Sequence, residues 1–557
     1  MRVKNQIRAV WCLILLMIAV MGMPVMAAKD EFFPLDKIKP GLSGVGYTVF
    51  QGTKIESFNV KVIGLVPAGY GDNQLILVRL SGKRLEENGG LAAGMSGSPV
   101  YFKGKLAGAI SFGFQNADPL LAMVTPIESM LRLLDWQRVA ESRIYQSCHG
   151  IVPIATPVIV SGMGRRGYEM ASRVLEAQYL KPVFSPGAAG RPEMSRTVPV
   201  KPGSAIAVQL VSGDYQVSAI GTVTWTGKNQ FLAFGHPFMN KGTVGYNAYQ
   251  AQVLQTVQSR VMSFKMGTAL YPVGKIIQDR NAGIAGILGE RQPMIEVEVA
   301  VRDRDRKLSR TSRFQVIDDE LLYPGLIVSG ITSAIDHALD RVGEGTAHVK
   351  VQLETLPGTE AIVRNNIFYS KDVAVSCLKD IADVLDMVAG NEFAKVQLKS
   401  IRVDVDIEKV QTTARVIKLE TATKKVKPGD TVHIEAVLHS FRGETFKIPL
   451  QLTIPETSQS GKLLLAIHGG AENVLFEEKE GSRKKDPSKF DYGQIHSWEE
   501  LVAEYLKKPT NNQLVLEYFP LTSEESEADE AEVEPERVTA DTPYYILGEA
   551  QLILEVK

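Results

Sequence analysis

Short runs of alternating apolar and polar residues, interrupted by glycine, fill most of this chain and predict β-strands. In the first part the runs predict strands at Gly46–Phe50, Phe58–Ile63 and Leu75–Leu80. The segment Val100–Ile110 predicts a hairpin that turns at Lys103-Gly104. Pro126 begins a segment with apolar residues on one helical face as far as Leu134, which predicts a helix that closes this block.

Further along, the pattern changes several times and predicts a mainly β protein of several domains. A strand near Thr156–Val160 and a helix near Tyr168–Gln178 precede more strands, and a helix is expected at Lys371–Val388. After about residue 412 the strand-and-turn rhythm is typical of a β-sandwich. The predicted units are a leader at 1–27, a β half at 28–149, a second β half with an αβ insertion at 150–318, an α/β segment at 319–410 and a sandwich with charged loops at 411–557.

The first 27 residues have the pattern of a secretory signal peptide. Arg2, Lys4 and Arg8 precede an uncharged apolar run at Ala9–Met23, and small residues surround the expected cleavage point at Ala27. The apolar run is shorter than the ~20 residues that a spanning helix needs. We therefore expect export, to the periplasm or the exterior of a bacterium, with possible association with the envelope.

The charge balance and the number of cysteines argue against several classes of function. The 557 residues contain 62 Lys+Arg and 63 Asp+Glu, so the chain lacks the basic surplus that nucleic-acid binding needs. Only three Cys occur, and Cys148 and Cys377 remain after the leader, enough for one disulfide at most. No spacing of Cys or His typical of a metal site is present, and His433 and His439 on one predicted strand are interpreted as a solvent-facing pair.

A glycine motif at Gly162–Gly167 matches the G-x-G-x-x-G fingerprint of dinucleotide sites. The following helix leads into a stretch rich in Pro and Gly, where the fingerprint would require a second parallel strand that ends in an acid. We interpret the motif as a plain glycine turn. No dinucleotide, organic cofactor or metal is expected.

The clearest chemical signal is Gly94-Met-Ser96-Gly97-Ser98-Pro99, which directly precedes the predicted hairpin. A nucleophilic serine needs an exposed hydroxyl on a tight turn with backbone N–H groups nearby, and flanking glycines allow that geometry. Ser96 is the candidate nucleophile, and the amides of Gly94 and Ser96 are the candidate oxyanion hole. The alternative interpretation is an ordinary Gly/Ser turn.

A candidate base lies downstream at the end of an apolar strand. Phe231–Phe234 leads into Gly235-His236, which presents an imidazole at a strand rim, where a general base is useful. A lone histidine in such a place is more often structural, so the assignment of His236 depends on the serine motif.

Together these segments resemble the SpoIVB sporulation serine peptidase family. The resemblance rests on Glu86–Pro99 with Leu106–Ile110, and on Gly221-Thr-Val-Thr224 with Phe234–His236. It implies a chymotrypsin-like two-barrel fold in which Ser96 is the nucleophile and His236 the base. The serine segment comes first here, whereas it comes second in the family, so the two halves are expected in permuted order. No PDZ-like segment is found.

The resemblance leaves the third catalytic residue open, because Ser81 stands where the family has its aspartate. Asp279 is the first candidate for orienting His236, with Asp118 and Asp72 as alternatives.

The predicted function is an exported serine endopeptidase that cleaves peptide bonds in protein substrates. The competing hypothesis is a catalytically degenerate envelope protein that uses the same fold as a binding scaffold, which the Ser81 substitution favours. A third possibility is an exported esterase. The region from about 412 onward is expected to fold separately and to be dispensable for the chemistry.

Overall fold

A computed structural model describes residues 31–67, 74–114, 116–138, 151–154, 156–185, 187, 198–260, 262–356, 361–456, 458–471, 495–521 and 537–557. The predicted leader, Asp72 and Cys148 lie outside the described residues. Within these ranges, no helix combines the length and apolar character required to cross a bilayer.

The first unit is a closed barrel of six antiparallel strands. The strands are β1 (Ser43–Val49), β2 (Ile55–Pro67), β3 (Gln74–Ser81), β5 (Pro99–Phe102), β6 (Lys105–Phe114) and β7 (Leu121–Pro126). They pair in the order β1-β2-β3-β7-β6-β5, and β5 returns to β1. The helix α1 (Lys83–Glu87) and the short strand β4 (Ala92–Ala93) lie between β3 and β5.

Two sequence predictions for this barrel are confirmed. The β5–β6 hairpin turns at Lys103-Gly104, where both residues have positive φ. The closing helix begins at Ile127, continues to Leu131 as α2 and ends in a 3-10 turn, Arg132–Arg138. An apolar cluster that includes Phe58, Val78 and Ile110 fills the barrel, because alternate residues of each strand point inward.

The second unit is another closed six-stranded barrel. Its strands are β11 (Ala205–Gly213), β12 (Gln216–Gly227), β13 (Gln230–Ala233), β14 (Gly242–Val257), β15 (Ser263–Arg280) and β16 (Gly283–Leu288). Pairing runs β11-β12-β13-β16-β15-β14 and closes on β11. Counted within each barrel, both have the order first, second, third, sixth, fifth, fourth. The predicted two-barrel fold is therefore confirmed.

The chain between the barrels connects them through paired strands. The strand β8 (Ile151–Pro153) pairs with β6 of the first barrel, and β9 (Pro157–Ser161) pairs with β12 of the second. After β9 come α3 (Arg165–Glu176) and β10 (Lys181–Ser185). This connection spans the junction at which the two barrels meet.

The expectation that no second parallel strand follows the helix after the glycine motif was wrong. The strand β10 is parallel to β9, so the motif does lie between two parallel strands joined by a helix. The strand β10 ends at Ser185 without an acid. Gly167 serves packing, because a Cβ there would lie 2.0 Å from Ser333 Oγ and α3 could not approach its neighbouring helix.

An α/β unit follows and extends the sheet of the second barrel. Its elements are β17 (Ile295–Asp303), β18 (Leu308–Val316), α4 (Tyr323–Leu339), β19 (Gly345–Leu356), β20 (Ile362–Ser370), α5 (Val373–Ser376), α6 (Lys379–Gly390) and β21 (Gln397–Glu408). The strands order as β18-β17-β21-β19-β20, and β18 also pairs with β11. The expected boundary at 318/319 falls inside this unit, and the helix expected at Lys371–Val388 is divided into α5 and α6.

The C-terminal unit is a β-sandwich, as predicted. Its elements are β22 (Thr413–Thr421), β23 (Lys425–Val426), β24 (Thr431–Ser440), β25 (Thr445–Thr453), β26 (Gly461–Gly469), α7 (Trp498–Lys507), β27 (Gln513–Leu521), β28 (Arg537–Asp541), β29 (Tyr545–Leu547) and β30 (Glu549–Val556). The sheets β25-β24-β22-β29 and β23-β30-β26-β27-β28 share one apolar core. His433 and His439 are exposed on β24, as expected. Helix α7, however, packs into the core of the α/β unit, so the sandwich domain is not structurally independent of the preceding unit.

Candidate active site

The serine motif forms a tight loop between β4 and β5 of the first barrel. Gly94 and Gly97 have φ values of +92° and +91°, a backbone region that favours glycine. The loop lies along β6, because Gly97 N–H donates to Ile110 O (2.7 Å) and Ile110 N–H donates to Ser98 O (2.9 Å). Ser98 also donates its hydroxyl to Met95 O (2.6 Å), which stiffens the turn around Ser96.

The second barrel holds this loop from the other side through two threonines of β12. Thr222 donates its backbone N–H to Ser96 O (2.8 Å) and its hydroxyl to Gly94 O (3.0 Å). Thr224 donates its hydroxyl to Gly97 O (2.8 Å). The Gly221–Thr224 motif therefore positions the Ser96 loop, which is the candidate nucleophile loop, and its sequence alone did not reveal this role.

His236 follows β13 of the second barrel after a turn with two successive positive φ values, +69° at Phe234 and +71° at Gly235. A positive φ at a bulky residue such as Phe234 is strained, and such strain is concentrated at functional sites. The first barrel holds this turn, because Thr125 donates its hydroxyl to Gly235 O (2.7 Å). The two barrels thus hold each other's candidate catalytic segments.

The structure brings Ser96 and His236 to the same inter-barrel junction. Ser96 O accepts a hydrogen bond from Thr222, whose own carbonyl accepts one from Phe234 N–H (3.3 Å), two residues before His236. Both residues are buried, with 0% of Ser96 and 2% of His236 exposed. Ser96 Oγ and His236 Nε2 both lack a hydrogen-bond partner among the described residues, so no hydrogen bond joins them in this state.

The imidazole is held in the tautomer that a general base requires. Nδ1 lies 2.7 Å from Pro237 O, and because a carbonyl can only accept, Nδ1 carries the proton and Nε2 the lone pair. Burial lowers the pKa of His236 to about 4, although the neighbouring backbone of Pro237 and Ile154 favours the protonated ring. His236 is therefore neutral near pH 7.

Asp279 is close to His236 in the fold but does not hydrogen-bond its ring. The two carboxylate oxygens accept from Phe238 N–H and Met239 N–H, both at 2.7 Å. Burial raises the pKa of Asp279 to about 6, although these backbone donors oppose the shift. The expectation that Asp279 contacts the imidazole directly was wrong. Asp279 binds the backbone amides of the loop that follows the histidine, and Nδ1 of His236 donates to the Pro237 carbonyl.

The alternative acids give no orienting group. Asp118 lies on the surface, where it forms an ion pair with Arg79 (2.9 Å) and accepts from Leu120 N–H. Its side chain is 38% exposed, and the Leu120 amide and Arg79 lower its pKa. Asp72 lies outside the described residues. The oxyanion hole at the amides of Gly94 and Ser96 stays a prediction.

A buried lysine that no sequence motif predicted lies beside the Ser96 loop. Lys265 of β15 is fully buried, its Nζ donates to Thr48 Oγ1 (2.7 Å), and burial lowers its pKa to about 7. A Cβ added to Gly94 would lie 3.2 Å from the Lys265 side chain. The available signal was its place on the inward face of β15 among small residues such as Ser263 and Gly267.

Within the residues that the structure describes, no group of three or more His, Cys, Asp or Glu side chains is arranged to hold a metal ion. Within the described residues the buried Cys377 forms no disulfide, and burial raises the pKa of its thiol to about 12.

Comparison with known families supports the resemblance seen in the sequence. The family described as SpoIVB peptidase S55 matches residues 30–131, a segment that contains the first barrel and Ser96. No curated protein and no solved structure matches the chain. Because the match ends before the second barrel, the permuted order of the two halves stays a prediction.

Proposed function

We propose that this chain is an exported serine peptidase in which Ser96 is the nucleophile and His236 the general base. One observation carries the proposal: Ser96 Oγ and His236 Nε2, from different barrels, are buried at the same junction without hydrogen-bond partners. An unsatisfied buried polar group costs roughly 1–3 kcal/mol, so two of them at one place call for a functional explanation. The family match to the Ser96 segment supports the same chemistry.

The proposed reaction uses the groups already positioned. Ser96 Oγ attacks a peptide carbonyl while His236 Nε2 takes the hydroxyl proton, and the amides of Gly94 and Ser96 stabilise the oxyanion. The imidazolium then protonates the leaving amine, and water releases the acyl group by the same steps in reverse. Pro237 O holds Nδ1–H throughout, and Asp279 acts as a positioning residue through the loop amides.

Protein or peptide substrates are proposed, and export places the reaction outside the cytoplasm, in the periplasm or beyond the cell. No metal or organic cofactor is needed for these steps.

A degenerate binding scaffold is the second candidate, because no carboxylate hydrogen-bonds the ring of His236 among the described residues. A Ser–His pair without an orienting acid is a weaker catalyst. The two candidates differ in one measurable property, the reactivity of Ser96.

The deciding experiment treats the mature full-length protein with a fluorophosphonate probe and identifies the labelled residue by mass spectrometry. We expect labelling of Ser96, its loss in Ser96→Ala and a large decrease in His236→Gln. Ser57→Ala, at an exposed serine of β2, is the matched control and should label like the wild type. A folded protein that never labels at Ser96 under any condition would favour the scaffold.

A further inference from the structure

The strand β8 lies on the same edge of β6 as the nucleophile loop. Along that edge, β5 pairs with β6 as far as Ala109, and the loop residues Gly97 and Ser98 bond to Ile110. The next residue, Ser111, accepts a hydrogen bond at its carbonyl from Ile154 N–H (3.0 Å). Ile154 is therefore the immediate neighbour of the Ser96 loop on this edge.

The register of β8 is that of an extended peptide added to a sheet edge. Phe112 pairs with Pro153, Gly113 with Val152 and Phe114 with Ile151, all antiparallel. Hydrogen-bonded and non-hydrogen-bonded pairs alternate along an antiparallel ladder. Because Ile154 and Ser111 form a hydrogen-bonded pair, Val152 and Gly113 form the next one, with the Val152 N–H directed at Gly113. Pro153 lies at the non-hydrogen-bonded position between them, where a proline loses no hydrogen bond. Main-chain pairing of this kind is a recurring mode of peptide recognition.

Ile154 also reaches the candidate base. Its backbone lies near enough to the imidazole of His236 to raise the pKa of that ring, and its side chain is fully buried in the apolar cluster that includes Met95 and Ile110. The same residue thus lies next to the nucleophile loop, next to His236 and inside an apolar pocket. These are the three contacts that a substrate residue on the acyl side of a cleaved bond would make.

We propose that Ile151–Ile154 is an intramolecular occupant of the substrate cleft that keeps the folded enzyme latent. This inference rests on the proposed peptidase function. A substrate peptide would replace β8 on the Ser111–Phe114 edge in the same antiparallel register and place an aliphatic side chain where Ile154 lies. The burial of Ser96 and His236 is the state expected of an occupied cleft.

The test compares the rate of fluorophosphonate labelling in three full-length proteins. Val152→Pro removes the N–H that faces Gly113 and weakens β8 on its edge. Ile151→Pro is the matched control, since the alternation turns the N–H of residue 151 away from β6. We expect Val152→Pro to label at least tenfold faster than the wild type, and Ile151→Pro to stay as slow as the wild type.

A second arm adds the tetrapeptide Ile-Val-Pro-Ile in excess to Val152→Pro. Labelling should slow toward the wild-type rate, whereas Ile-Pro-Pro-Ile, which cannot make the central bond, should have no effect. Equal labelling of all three folded proteins overturns the latency but leaves the peptidase function in place. Absence of labelling in all three overturns the peptidase function itself. Cleavage of the wild-type chain after Ile154 would also overturn the proposal, since the segment would then be a substrate.

Discussion

Gly97 lies where the Ser96 loop packs tightly against the backbone of the second barrel. A Cβ at this position would stand 1.9 Å from Thr222 O and 2.5 Å from Phe234 N, both backbone atoms that cannot move independently. Contacts this short are never made by real Cβ atoms, so the two barrels must separate or the loop must change shape. The glycine is therefore required by the docking of the barrels as well as by its own positive φ.

We predict that Gly97→Ala abolishes labelling of Ser96 and lowers the free energy of unfolding by several kcal/mol. Gly104→Ala is the matched control, because Gly104 also has a positive φ (+76°) but has no atom within 4 Å of an added Cβ. The control should cost about 1–2 kcal/mol from backbone strain alone and keep its labelling. Thermal unfolding and probe labelling measure both effects, and equal behaviour of the two variants would contradict the prediction.

The buried imidazole of His236 makes stability depend on pH. Burial lowers its pKa to about 4, while the unfolded chain titrates near 6.5, so between these values the unfolded state binds more protons. The stability that comes from burying a neutral imidazole is fully present above pH 6.5 and is lost as the pH falls toward 4. Asp279, whose pKa burial raises to about 6, acts in the opposite direction over part of this range.

A comparison with His236→Gln isolates the histidine from Asp279. We expect the difference in unfolding free energy between wild type and variant to change by about 3 kcal/mol between pH 6.5 and 4, with the wild type losing more. Chemical denaturation at a series of pH values gives this difference. A difference that is constant over the range would show that His236 is not buried as described.

At the scale of elements, β12 is the strand that connects the Ser96 loop of the first barrel with the His236 turn of the second. Thr222 and Thr224 bond the carbonyls of Gly94 and Gly97, and the Thr222 amide bonds Ser96 O. A strand of one barrel thereby fixes the dihedral angles of a loop in the other. The nucleophile loop should lose its shape when these bonds are removed, even though no catalytic group is changed.

We predict that Thr222→Val with Thr224→Val slows labelling of Ser96 at least tenfold and destabilises the fold by about 1–3 kcal/mol per lost hydrogen bond. Thr226→Val is the matched control, since Thr226 is a half-exposed residue of the same strand. Labelling kinetics and denaturation together separate loop geometry from global stability. Normal labelling in the double variant would show that the loop keeps its shape without β12.

Individual strands and turns could be predicted from the sequence better than the tertiary contacts between them. The alternation of residues in β5 and β6 and the turn at Lys103-Gly104 were sufficient to predict the hairpin, because these are local preferences. The parallel pairing of β10 with β9, the bonds of Asp279 to loop amides and the position of β8 depend on residues far apart in the chain. Ser96 and His236 could be nominated from the sequence because their motifs are local, whereas Lys265 and the threonines of β12 act through tertiary packing.

At the scale of the whole molecule, the two barrels are connected to the C-terminal half through the α/β unit. Helix α7 comes from the C-terminal region but packs its Trp498, Leu501 and Tyr505 into the core shared with α4 and α6. Tyr505 donates its hydroxyl to Asp380 O (3.2 Å), and Asp380 forms a buried ion pair with Arg364 (2.8 Å). These contacts lie in units other than the two that carry Ser96 and His236.

We predict that Trp498→Ala lowers the free energy of unfolding by about 3–5 kcal/mol without changing the labelling rate of Ser96 below the unfolding transition. Leu506→Ala, at a residue of the same helix that is 43% exposed, should cost far less. Calorimetry and labelling at 25 °C provide the two readouts. Slower labelling in folded Trp498→Ala would show that the C-terminal half contributes to the chemistry.

We also predict that the mature chain begins near Ala28, because a basic start, an apolar run and small residues act together as an export signal. Fractionation followed by N-terminal sequencing tests this directly. Exported protein that still begins at Met1 would contradict the prediction.

Each barrel binds the candidate catalytic segment of the other, so neither segment can be held in place before both barrels have been synthesised. Thr222 is made 128 residues after Gly94, which at 5–20 residues per second is a delay of roughly 6–25 s. During that time the first barrel can close by its own strand pairing, but its serine loop has no threonine partners and no histidine. Under the proposed function, the serine of such a chain therefore has no base until the second barrel has been completed.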